Sequence, residues 1–412
     1  MVTVNEDLAK RSKFAYNDIE EDDAIASKIE KTGKEVIKLN RGDPPQYIKT
    51  PDYIIDAYVD ALRSYKTGYV DMTGIKELRE AVSDRYARSY KAKVSPENVI
   101  VTQGVSEALA FLNNVLINDR DQAILFAPYY PQYMPLLQMY GGSPIIEKYS
   151  EKLNWNLDID SLGRSLKRMA KPQLRKVKYM MITNPNNPTG TVLKRDYLED
   201  IVDLANEYGL FLVSDEIYDE IVYNGAKFTS VSEVANGVPH MILNGASKVY
   251  DSTGFRIGFM IIPGTDKFSS KVSAKLKDYA TVRLSVNTPA QYAIAAAITN
   301  KKEHEKAIKN MVKEISDRVN YAYNLLKKNE YLDIVKPNGS FYIFPKIKLD
   351  LLKIKDDNDF VVKLLKDKNL QVTRGSGFGG DGHFRIVSLP TKSILKESVD
   401  RINDFCEENK KK

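Results

Sequence analysis

The middle of the chain repeats one pattern: a short apolar run, a polar or glycine-rich junction, then a stretch with helical spacing. "NVIVTQG" leads into "VSEALAFLNNVL", "QAILFAPYYP" into "QYMPLLQMYGG", and "KYMMITNPNNPTG" into "RDYLEDIVDLANEYG". "LFLVSDEIY", "HMILNGASK" and "FRIGFMIIP" follow. Strand-length runs separated by helix-length segments specify an α/β domain with a largely parallel sheet. Helices on both faces of such a sheet explain strands that are apolar throughout. Polar residues collect where the runs end: Gly104, Tyr130, Asn187, Asp215 and Lys248. Open α/β sheets bind ligands outside the carboxyl ends of their strands. These residues, far apart in sequence, are therefore expected to meet in one crevice.

A chain of 412 residues exceeds the size of one core. The pattern divides it into a large domain at 49–298 and a smaller α+β domain built from 1–48 and 299–412. The second holds the charged helical stretch "KKEHEKAIKNMVKEISDRVNYAYNLLKKN" and the strand-like "SFYIFPKI", "NLQVTRGSGFGG" and "HFRIVSLP". A net charge of +6, from 61 basic and 55 acidic residues, is too small an excess to mark a nucleic-acid binder. The single cysteine, Cys406, allows no internal disulfide and fits a reducing, cytoplasmic location. It and the three histidines lack ligand spacing, so no metal site is expected. "MVTVNEDLAKRSKFAY" lacks the apolar stretch of a signal peptide, and no apolar run has the length to span a membrane.

Lysine is mostly a surface residue, yet Lys248 ends an apolar run among Gly245, Ala246 and Ser247. Partial desolvation there favours the free amine, the form that adds to an aldehyde such as that of pyridoxal phosphate. Alone, the residue reads first as a surface lysine at a strand end, and its neighbours must change that. Asp215 in "SDE" reads as a helix N-cap or as a carboxylate that keeps a pyridinium nitrogen protonated. Tyr218 shares its side if a helical turn begins there, and is otherwise a core tyrosine. Gly104, Val105 and Ser106 stand where a helix starts, and free amides there suit a phosphate. Ser106 also serves as a plain cap, and the missing Gly-Lys-Ser/Thr ending excludes a nucleotide P-loop. "NPNNPTG", residues 184 to 190, is a stiff turn that fixes the amide of Asn187.

With "GDPP", "GYVDMTGIKELREAV", "APYYPQY", "SKVYDSTGFRIG" and "FRIVSLP", these motifs follow one family's order and approximate spacing. From about Asn40 to Pro390 the chain resembles the class I/II aminotransferases, aspartate/alanine aminotransferase-like enzymes of pyridoxal-phosphate fold type I. The resemblance implies a large domain with a mostly parallel seven-stranded sheet, pyridoxal phosphate as cofactor, and a homodimer with shared active sites. Lys248 matches the lysine that bonds the cofactor and later shuttles the proton, and Asp215 the partner of the pyridine nitrogen. Asn187 and Tyr218 match the residues bonded to the phenolic oxygen, and Tyr130 the ring stacked on the pyridine. Gly104, Val105, Ser106 and Arg256 match the phosphate cup. Tyr69 matches the tyrosine that reaches the neighbouring subunit's phosphate. Arg385 matches the arginine that forks the substrate α-carboxylate, with Gly42 adding a backbone contact.

The chain also departs from the family. Of the common Ser-x-Ser-Lys it keeps Ser247, counted among the cofactor-binding residues, while Gly245 lacks the first hydroxyl. Val105 replaces a smaller residue. Asp251 and Ser252 stand where small or apolar residues are usual, with an expected effect on a local helix start or on site polarity. Arg283 lies near where some aspartate-specific members carry an arginine from the partner subunit, and reads otherwise as a surface helix arginine. Tyr16, Tyr130 and Tyr133 are candidates for an apolar pocket, which keeps alanine and aromatic donors open beside aspartate.

The implied activity is ping-pong transfer of an amino group from an L-amino acid to a 2-oxo acid, commonly 2-oxoglutarate in this family. Two alternatives remain at this point. One is a β-lyase or aminocyclopropane-synthase-like enzyme on the same scaffold. The other is a non-catalytic regulatory protein, although the chain has no room for an added DNA-binding domain.

Overall fold

The structure, a computed structural model, describes residues 8–15, 18–235, 237–264 and 266–411. At its centre is a sheet of eight strands: β1 (Val99–Thr102), β2 (Gln122–Ala127), β3 (Ser143–Ser150), β4 (Asn156–Leu157), β5 (Val177–Thr183), β6 (Phe211–Asp215), β7 (His240–Gly245) and β8 (Gly258–Ile261). Their spatial order is β1-β8-β7-β6-β5-β2-β3-β4. Six strands run one way, and only β8 and β4 oppose them. The mostly parallel sheet is as expected, but it has eight strands rather than seven. The difference fits the two-residue β4, which adds to the outer edge against Tyr149 and Ser150. A strand that short has no apolar run to announce it.

The strands are apolar throughout because successive side chains feed two different cores. Val99, Val101, Ile124, Phe126, Met180, Ile182, Leu212 and Ile242 face one core. Ile100, Ala123, Leu125, Met181, Val213, Met241 and Leu243 face the other. Helices Lys76–Tyr90, Arg195–Tyr208 and Thr288–Thr299 close the first face through residues such as Leu78, Ile201 and Ile294. Helices Gly104–Leu116 and Lys267–Arg283 close the second through Leu112 and Leu276. Each fully buried aliphatic side chain contributes about 1.5–3 kcal/mol, so the two faces together hold the sheet rigid.

The 26-residue helix Lys301–Leu326 leads to a set of small sheets. One is antiparallel, with Phe384–Val387 between Tyr342–Ile343 and Thr373–Arg374. Another pairs Ile37–Lys38 with Leu370–Gln371 in parallel. The early segment is thereby tied to the late one, since Leu39 N donates to Gln371 O at 2.8 Å and Val387 N to Leu39 O at 3.0 Å. These bonds carry residues 40–43 over the carboxyl ends of the large sheet. Among the described residues, no helix is long and apolar enough to cross a membrane.

Candidate active site

A cavity of about 500 Å³ lies at those strand ends. The sequence-singled residues Val105, Ser106, Tyr130, Asn187, Asp215 and Tyr218 line it, as do Ser247, Lys248, Arg256, Gly42 and Arg385. Five of the six co-directional strands, β1, β2, β5, β6 and β7, deliver these groups at or just after their carboxyl ends, and β3 delivers none. Of the five residues expected to meet in one crevice, Tyr130, Asn187, Asp215 and Lys248 line it, while Gly104 stands behind Arg256 rather than in the lining.

The Lys248 amine projects from the turn after β7 and donates to Gly42 O at 2.5 Å. Burial lowers its pKa to about 8, and the nearby Arg385 and Arg256 add to that shift while Asp43 and Asp215 oppose it. Asp43 is itself engaged by the Thr253 hydroxyl at 2.6 Å. The small neighbours have a steric cause. A side chain at Gly245 would put its Cβ 2.7 Å from Ile257 O, because β7 and β8 pair there residue for residue. The family hydroxyl missing at 245 is thus excluded by the backbone of this chain.

Asp215 closes β6 and is only 4% exposed. Burial raises its pKa to about 6, against hydrogen bonds from the Tyr133 hydroxyl at 2.6 Å and Ile217 N at 3.2 Å. The Tyr133 hydroxyl also lies 2.9 Å from Thr183 Oγ1. Tyr133 was expected as an apolar wall. Its ring is buried, but its hydroxyl is committed to orienting Asp215. Tyr130 lines the cavity and meets the Tyr133 ring edge-on at 5.6 Å. Tyr218 sits in the turn after β6, with its hydroxyl 2.8 Å from that of Tyr342. Tyr342 was missed by sequence reasoning, since nothing in "SFYIFPKI" marks a tyrosine whose polar tip enters the site.

Arg256 stands two residues before β8, next to the N-terminus of helix Gly104–Leu116. It donates to the carbonyls of Thr253 at 3.0 Å and Gln103 at 3.4 Å. Among the described residues it pairs with no carboxylate, so its charge is available to an anion. Gly104 has φ +71°, and a Cβ there would come within 2.4 Å of Arg256 Nη2. Only glycine lets the helix N-terminus and the guanidinium approach so closely. The first amides of a helix have no partner within it, and here they join an unpaired arginine. Ser106 adds a hydroxyl, which donates to Gln132 Oε1 at 3.3 Å. Val105 is part-buried and packs on both cores.

Arg385 in the strand Phe384–Val387 is 4% exposed. It donates to Asn187 Oδ1 at 3.0 Å and to Asn40 O. Its Nε is buried without a partner. The guanidinium packs between the rings of Tyr342 and Phe378, at 4.7 and 4.8 Å. A buried cation that lines a cavity and, among the described residues, pairs with no carboxylate suits a carboxylate ligand.

Other singled residues lie elsewhere. Tyr69 is 77% exposed and outside its own chain's cavity. Arg283 is not a surface helix arginine: it ends its helix in an ion pair with Glu107 at 2.6 Å and also bonds Met72 O. Asp251 and Ser252 are buried and outside the cavity lining, so they do not change its polarity, but the expected local helix start is there: Ser252 is the N-cap position of the short 3-10 helix Thr253–Phe255. Ser252 Oγ instead donates to Ala246 O at 3.0 Å and closes the loop that carries Lys248. Tyr16 lies outside the described residues.

These residues fit pyridoxal phosphate. The helix N-terminus with Arg256 would hold the phosphate, Asp215 the ring nitrogen, Asn187 and Tyr218 the phenolic oxygen, and Lys248 the aldehyde carbon. The similarity to known proteins points to the same cofactor. The model for "Aminotransferase class I and II" matches residues 34–402. The aspartate aminotransferase of Thermotoga maritima is 33% identical over 93% of this chain and 94% of its own. The glutamate-pyruvate aminotransferase of Haemophilus influenzae is 32% identical over 92% and 93%. The solved alanine aminotransferase of Pyrococcus furiosus superposes with a TM-score of 0.92 at 35% identity, covering 98% of this chain and all of that one. A site with this donor set, on this fold and with these relatives, places the chain in the class I and II aminotransferase family, as a pyridoxal-phosphate-dependent transaminase.

Proposed function

We propose that this transaminase takes its amino group from an L-amino acid and passes it to a 2-oxo acid, 2-oxoglutarate among them, in two half-reactions at the cavity described above. The observation that carries this reading is the convergence of Lys248, Asp215, Arg256 and Arg385, from three separate stretches, on one cavity of about 500 Å³. When bound, pyridoxal phosphate supplies an aldehyde that captures amines and a ring that withdraws electrons from the carbon beside the nitrogen. Arg385 grips the substrate α-carboxylate with a planar fork. That grip orients the α-hydrogen toward Lys248. With a pKa of about 8, the Lys248 amine is partly neutral near neutral pH, so Nζ can accept that proton and deliver it within the cavity. Tyr133 and Ile217 N aim the Asp215 carboxylate, and Tyr218 presents a hydroxyl held by Tyr342.

This reading divides the chain at 49–298 and at 1–48 with 299–412, so that Lys248 and Asp215 come from one part and Gly42 and Arg385 from the other. It also includes a homodimer. Tyr65, Tyr69 and Val282 are 87%, 77% and 83% exposed, and a second copy would cover them and bring Tyr69 to the partner's phosphate. Sedimentation is expected to give twice the chain mass, and a monomer at micromolar concentration would oppose the shared site. The donor is tested with a panel of amino acids, each with 2-oxoglutarate, followed through the cofactor spectrum. Turnover of at least one α-amino acid is expected, and no turnover with any would sink the reading.

A further inference from the structure

We infer that Arg41 reads the second carboxylate of a dicarboxylic substrate, so that an amino donor or acceptor of this site carries an acid at its far end. The inference rests on the transaminase reading above and names its substrate class. Arg41 lines the same cavity as Lys248 and Arg385. It directly follows Asn40, whose carbonyl accepts from Arg385. The two guanidinium groups therefore reach the cavity from neighbouring points of the structure. They differ in setting: Arg385 is buried, whereas the Arg41 side chain is 64% exposed.

Arg41 is aimed but not consumed. Among the described residues its ion-pair partner is Asp23, in the helix Asp18–Glu30, reached through one guanidinium nitrogen. Asp23 is itself fixed, because its Oδ1 accepts from Asn40 Nδ2 at 3.0 Å and Gln371 Nε2 at 2.7 Å. A guanidinium offers five N–H donors in a flat fork, so one contact leaves donors for another carboxylate. The other cations lining the cavity, Lys248, Arg256 and Arg385, have roles already. Arg283, the arginine the sequence offered for this task, is closed in its pair with Glu107. A substrate held at its α-carboxylate by Arg385 keeps its far end in the cavity that Arg41 lines. A methyl end gains nothing from that charge, while a carboxylate gains a charge-assisted pair.

The test uses the holoenzyme and Arg41→Gln, followed by stopped-flow cofactor absorbance with L-glutamate and with L-alanine. The kcat/KM for glutamate is expected to fall at least 30-fold, that for alanine by less than 3-fold, and Arg41→Lys to recover part of the loss. Equal losses for both donors would make Arg41 a structural tie between the helix and the cavity rim and would overturn the inference, as would no loss at all. Calorimetric titration with succinate and with butyrate needs no turnover. Arg41→Gln is expected to weaken succinate at least 10-fold and leave butyrate unchanged. If no donor reacts, the transaminase reading fails, and the titration still decides Arg41. Unweakened or absent succinate binding overturns it.

Discussion

Lys248 sits where burial and two arginines act together against a positive charge. That setting was legible in the sequence, because a lysine ending an apolar run among small residues has few solvated places to go. Its supports were not legible. Tyr133 and Tyr342 look like any core tyrosine, and their roles depend on which hydroxyl or carboxylate the fold brings within 3 Å. Asp251, three residues past the lysine, shows the same limit. It is 3% exposed, its Oδ1 has no partner, and burial with Glu314 nearby raises its pKa to about 8. Between the unfolded value near 3.8 and about 8, only the folded state keeps this proton. Its contribution to stability is thus full below about 3.8 and is lost as pH rises through 8. Asp251→Asn removes the loss, and asparagine tolerates the residue's φ of +44°. Urea unfolding should show the variant gaining on the wild type by on the order of a few kcal/mol between pH 5 and pH 9. An equal difference at both pH values would mean that the carboxyl is not buried as described.

Elements were legible in proportion to their length and apolarity. β1, β2 and β5 to β8 appear as apolar runs with a glycine or polar residue at the end, and both the sheet and its crevice follow from them. β4, two residues long, carries no such signal. Arg283 stands correctly on a helix, but its partner Glu107 is on another helix 176 positions away, and no spacing rule reaches that far. The phosphate cup is likewise a property of packed elements. β8 runs between β1 and β7, with Gly258 opposite both Thr102 and Gly245. A Cβ at Gly258 would lie 2.5 Å from the Gly104 carbonyl carbon, a backbone atom with no freedom to yield. Gly258→Ala should therefore push the helix N-terminus away from Arg256. The overpacking costs about 1–3 kcal/mol, and cofactor affinity, measured by equilibrium dialysis, should fall about 10-fold or more. The control Gly163→Ala meets only Leu204, at 3.7 Å, and should leave affinity unchanged. Unaltered binding in Gly258→Ala would show that the cup does not depend on this contact.

At the scale of the whole molecule, function follows from a rigid sheet meeting a returning segment. The sheet supplies Lys248, Asp215 and the phosphate cup, while the small sheets hold Arg385 and pin residues 39–43 across the opening. The first half was readable from the alternation of runs. The second was readable only as the grouping of 1–48 with 299–412 and, through the resemblance, as Gly42 and Arg385; the tie itself was not, because the pairing of Ile37–Lys38 with Leu370–Gln371 joins opposite ends of the chain through two-residue strands. The central claim is that this assembly exchanges an amino group without releasing it. The direct measurement mixes the purified holoenzyme with an L-amino acid and no 2-oxo acid, and follows cofactor absorbance, oxo acid and ammonia together. The account predicts one equivalent of 2-oxo acid per cofactor, no ammonia and full spectral recovery on adding 2-oxoglutarate, and in Lys248→Ala neither oxo acid nor that spectral cycle. Continuing release of ammonia and oxo acid without an acceptor, or wild-type turnover by Lys248→Ala, would contradict it.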